Sequence, residues 1–171
     1  AHHFIEAGIE EKILQYAYPA GVKAKESYAY SDALKFFEIT IESIKNNDNF
    51  LIDVYENFGE TLLLTGNTQK GINIFLEVIK LSKNTMQIAL ANKQISQAYQ
   101  KLGNFKKCEL FAKKTFALLG KDISNNNIIV IMGIIKELII HIFSNLTGIS
   151  TKKDKNNIHK YIIIVDTFIY L

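Results

Sequence analysis

The dipeptide Gly-Asn occurs twice, at Gly66-Asn67 and Gly103-Asn104, and each time it closes an apolar stretch of helical periodicity. The two are 37 residues apart. Glycine just past a helix takes the left-handed conformation that terminates it. A chain that stops its helices at a fixed interval folds as a series of hairpins. The residues ahead of each stop also correspond: Phe58-Gly59-x-x-Leu62 in one copy, Ile95-Ser96-x-x-Tyr99 in the next. An earlier copy contains Gly21, Ala24, Tyr30, Ala33 and Phe37, its Gly21 lying 38 residues before Gly59. Second helices carry a small residue and then an aromatic four positions on, Ala33…Phe37 and Gly71…Phe75; the third copy departs, with Cys108…Ala112. Small residues let paired helices approach closely, and aromatics fill the gap to the next pair. No single pair can bury its own apolar face, so neighbours stack.

Periodicity predicts the helices one by one. A helix runs from Glu10 to about Ala29, with Pro19 kinking or breaking it near Tyr16–Pro19, because proline removes a backbone donor. The next spans Ala33 to Lys45 after Ser31-Asp32. Residues 46–49 form a polar loop. Further helices cover 50–65, 69–82 (with Thr68 as cap and Ile72, Phe75, Leu76 and Ile79 inward), 85–102 and 105–119. A polar loop at 122–127 leads to an apolar helix over 128–146, a Lys-rich linker over 148–157, and an apolar tail over 158–171. Tyr161 to Val165 has a strand-permitting composition, and is read as a truncated helix in a helical chain. Residues 1–120 therefore form about three helix pairs, the first irregular. Residues 121–147 continue the array. The fold class is all-α, a right-handed superhelical array of antiparallel helix hairpins.

This pattern resembles the tetratricopeptide repeat, a helix-turn-helix unit of about 34 residues. The resemblance covers residues 10–120. The signature Trp and terminal Pro of that family are absent, and the copies here are longer. A narrower resemblance rests on Ala1-His2-His3-Phe4-Ile5-Glu6-Ala7-Gly8, Lys12-Ile13-Leu14-Gln15-Tyr16, Ala20-Gly21-x-x-Ala24, Tyr28-Ala29-Tyr30-x-x-Ala33, Leu118-Leu119-Gly120, and Leu138, Ile139, His141 and Ile142. It is similar to the helical segment after the ATPase module of large STAND-type signalling proteins, among them ones with kinase or class III nucleotide-cyclase domains. Pro19 departs from that pattern. The resemblance implies an intracellular, cytoplasmic, non-catalytic regulatory segment. Nothing in the chain carries over as a catalytic residue.

Composition narrows the partners. All 20 basic residues are Lys. Without Arg the chain lacks the bidentate fork that reads guanine edges and phosphates, and a net charge of +3 does not compensate. No nucleic-acid partner is expected. Charge is uneven: residues 1–60 carry 11 acids against 5 Lys, and residues 61–171 carry 6 against 15. The single Cys excludes an internal disulfide and a multi-Cys zinc site.

Chemistry-bearing patterns are sparse. Gly66-x-x-x-x-Gly71 lacks the Lys-Ser/Thr of a phosphate loop and reads as a helix stop plus a packing glycine. His2, His3, His141 and His159 form no metal motif, and Cys108 sits in a small-residue slot. Catalytic, cofactor and metal residues are therefore expected to be none. The apolar run from Ile128 to Ile135 is too short to span a membrane before Lys136 and Glu137 interrupt it. Asp53, Glu56 and Glu60 project from one helix face; Lys93, Gln97, Gln100 and Lys101 occupy the corresponding face one repeat later. If the pairs stack regularly, both sets line one concave groove for a protein, a peptide or a neighbouring domain of the same chain. Two other classes stay open: a segment that completes or controls an attached active site, and a membrane-surface module using residues 128–171.

Overall fold

The computed structural model describes residues 10–44 and 48–120, together with Ile163, Ile164 and Thr167. Among these all regular structure is helical. Helix α1 spans Glu10–Glu26, α2 Tyr30–Ser43, α3 Asp48–Leu64, α4 Thr68–Leu81, α5 Thr85–Lys101 and α6 Phe105–Leu118. The first helix of each pair has 17 residues and the second has 14.

The turn inside each pair is the same object three times. The Tyr28 amide donates to Lys25 O at 3.0 Å and the Ala29 amide to Ala24 O at 2.8 Å. In the second pair Gly66 donates to Leu63 O and Asn67 to Leu62 O, at 3.4 and 2.9 Å. In the third, Gly103 donates to Gln100 O and Asn104 to Tyr99 O, both at 2.9 Å. These bonds satisfy carbonyls that the helix end leaves open. They require a left-handed central residue, with φ of 61° at Tyr28, 80° at Gly66 and 69° at Gly103. The first copy thus makes the turn without glycine, and its Tyr28 stands 79% exposed at the tip. The connection between pairs is what varies. Residues 44–47 separate α2 from α3, whereas 82–84 separate α4 from α5. That single residue accounts for the spacings of 38 and 37.

Several boundaries differ from the predicted ones. Helix α1 is not broken at Pro19; it continues to Glu26 and stops short of Ala29. One missing backbone bond is outweighed by packing around it, where Ala17 is fully buried and Tyr18 and Val22 join the core. Helix α3 starts at Asp48, so Asp48 and Asn49 open a helix rather than extend a loop. Thr68 is the first helical residue of α4, with Asn67 in the cap position. Ile72 and Phe75 point inward as expected, but Leu76 is 41% exposed.

The chain divides into two compact units, Ala1–Lys83 and Asn84–Leu171. In the first unit α1 pairs with α2 and α3 with α4, and α2 also packs on α3. Its core joins Ala33 and Phe37 of α2 to Val54, Phe58 and Leu62 of α3. Close approach depends on missing side chains: a Cβ on Gly21 would lie 2.8 Å from Phe37 Cε1, and one on Gly59 2.9 Å from Phe75 Cε2. In the second unit α5 pairs with α6. The same two register positions there hold Ser96 and Ala112, so where the aromatic is lost the glycine is lost too. Ser96 Oγ donates to Cys108 O at 2.9 Å. Ala89, Ala112, Phe116 and Leu119 form a core with Ile163 and Ile164. These two isoleucines and Thr167 are helical, so at these positions the strand-like composition of the tail yields to helix.

The segments 1–9, 121–147 and 148–157, with His2, His3, His141 and His159, lie outside the described residues. Among the described residues no helix is long and apolar enough to cross a membrane.

Candidate functional site

The acidic set expected on one helix face falls on α3 of the first unit. Asp53 is exposed, while Glu56 and Glu60 are half-buried. Helix α1 lies alongside and contributes two side chains. Lys25 forms an ion pair with Glu60 and donates to Asn57 Oδ1 at 3.0 Å. The amide of Asn57 donates to the Tyr18 hydroxyl and to the Asp53 carbonyl, both at 3.1 Å. The Tyr18 ring is wedged edge-on against Phe50, with centroids 5.0 Å apart, and tilted against Phe37. Its apolar body is thereby fixed in the core while its hydroxyl reaches the polar face.

Electrostatics single out Glu56. Burial removes water from its carboxyl, and the charges of Asp53 and Glu60 oppose its ionisation; together they raise its pKa from 4.5 to about 7. Burial also raises the Tyr18 hydroxyl, with Asp53 adding to the effect and the Asn57 hydrogen bond opposing it. Lys25 is committed to Glu60 and Asn57. Among the described residues no ion pair or hydrogen bond reaches the Glu56 carboxylate. The face therefore presents a negative potential with one carboxyl that titrates at neutrality.

Sequence reasoning found Asp53, Glu56 and Glu60 as a set. It missed Lys25 and Asn57. The available signal was the i, i+7 spacing of Tyr18 and Lys25 on α1, which puts both on one side of a helix. Lys93, Gln97, Gln100 and Lys101 lie on α5 of the second unit; the first three are half-buried and Lys101 is exposed. Glu56 and Lys93 hold the same register in successive copies, as does Tyr18 in the first.

Other candidates have structural roles. Gly66 makes a hairpin turn at φ 80°, and a Cβ on Gly71 would lie 2.7 Å from Leu63 Cδ2, so the phosphate-loop spacing is a stop plus a packing glycine. Cys108 is buried, with its sulfur 3.4 Å from Ser96 Oγ. Among the described residues no group of three or more His, Cys, Asp or Glu is placed to hold a metal ion. In comparison with known proteins, no family model matches this chain and no curated protein matches it, so its function must be argued from the site itself.

Proposed function

We propose that the chain is a non-catalytic helical-repeat segment that binds a protein or peptide through the polar face of α1 and α3. The carrying observation is Glu56: a half-buried carboxyl, raised toward neutrality by its neighbours and lacking a cationic partner among the described residues. Such a group is costly in isolation and is relieved when a ligand supplies positive charge or a donor. The three like turns support the wider reading of a series of helix hairpins, in which Lys93 holds on α5 the register position that Glu56 holds on α3. Attachment to a signalling ATPase, where docking would bias the catalytic module, rests on the sequence resemblance alone.

The test is a synthetic peptide array probed with the whole chain and with Asp53→Asn/Glu56→Gln, a pair that removes charge and leaves the Lys25–Glu60 tie in place. The proposal expects binding to peptides rich in Lys and a loss of about tenfold in the variant, near 1.4 kcal/mol, with the circular dichroism spectrum unchanged. Equal binding by both proteins would rule out this face.

A further inference from the structure

A second surface of the first unit has the anatomy of a docking groove and shares no residue with the α1–α3 cluster. It is a groove of about 350 Å³ between α2, α3 and α4. Its floor is Phe58 and Leu62, buried at 8% and 3% exposure. Half-buried Ile41, Tyr55 and Ile74 make the walls. The rim is exposed and charged: Glu38 and Glu42 on the α2 bank, Lys70 on the α4 bank. An apolar centre inside a polar rim, with a tyrosine at the edge, is how peptide-binding surfaces are built.

The charges say which occupant fits. Glu38 and Glu42 stand one helical turn apart on the same bank, where like charges repel. The nearby Lys35 is engaged with Asp32. Among the described residues neither glutamate has an ion pair or hydrogen bond, and neither does Lys70. The Tyr55 hydroxyl likewise has no hydrogen bond there. A ligand that neutralises the α2 bank must therefore carry two cations one turn apart and an apolar side chain between the banks. We propose that this groove binds an amphipathic helical peptide segment of a partner protein. Its apolar anchor sits on Phe58 and Leu62, and its paired Lys or Arg residues face Glu38 and Glu42. A helix laid in a groove supplies both features at i and i+4 spacing.

The experiment titrates the whole chain, isotope-labelled, with two synthetic helical peptides that share a pair of leucine anchors. One carries Lys one turn apart beside the anchors, and the other carries Glu there. The expected result is amide shifts at 38–42, at Tyr55, Phe58 and Leu62, and at 70–74. The Lys peptide should bind about tenfold more tightly at low salt, with the preference shrinking as salt is added. Glu38→Lys/Glu42→Lys should invert that preference. Should this variant not fold, the Lys-over-Glu preference and its salt dependence in the native chain decide the matter. Equal affinity for both peptides, or no shifts, overturns the proposal. So do shifts confined to Tyr18, Lys25 and Glu60, which would assign the peptide to the other face and leave the first reading standing. Groove shifts that grow with protein concentration before any peptide is added also overturn it, because the occupant is then a second copy of the chain.

Discussion

Glu56 ties the chemistry of the polar face to the stability of the first unit. Its folded pKa of about 7 lies above its ordinary 4.5, so the folded state holds a proton that the unfolded chain has released. Between these values the folded state binds more protons, and stability must fall as pH rises. The benefit of a neutral Glu56 is complete below about 4.5 and is lost as pH passes 7. Glu56→Gln keeps the neutral shape at every pH. It should leave the melting temperature near that of the native chain at pH 5 and raise it at pH 8. Paired thermal melts at the two pH values check this, and a constant difference would contradict the assignment. Two glycines make complementary tests of backbone and space. Nothing lies within 4 Å of a Cβ on Gly66, so Gly66→Ala carries only the strain of φ 80°, about 1 kcal/mol. Gly59→Ala drives a methyl into Phe75 and should cost about 1–3 kcal/mol. Chemical denaturation separates the two.

Helices were the most legible level. Gly-Asn marks two of the three turns among the described residues, because glycine is the residue that pays least for the left-handed conformation. The first turn is hidden because Tyr28 occupies that place, so periodicity alone carries the helix on to Ala29. At Pro19 the helix continues unbroken, because burial around α1 outweighs one lost backbone bond. The acidic set was visible from spacing on one helix, whereas Lys25 became part of the site only once α1 lay beside α3. A cross-helix ion pair leaves no local trace in the sequence. The groove under Glu38 and Glu42 was likewise illegible, since it is assembled from three helices.

For the molecule as a whole, the second unit depends on residues far along the chain. Ile163 and Ile164 are buried against Ala112 and Phe116. Deleting a buried isoleucine side chain costs about 2–5 kcal/mol. Ile163→Ala should therefore lower the stability of the second unit by that order. Hydrogen exchange resolved by residue would show faster exchange in α5 and α6, with α1 to α4 protected as before. Uniform protection in both units would show that the tail does not hold that core.

The two kinds of connection bear on how such a chain can change its length. Inside each pair three residues link helices of fixed size, and the turn bonds leave no slack. One residue more or less there would swing the second helix by about 100° and turn its buried face to water. Between pairs, four residues serve in one place and three in another. Insertions and deletions in related sequences should accordingly gather at the joints between hairpins, or arrive as whole hairpins, and spare the turns.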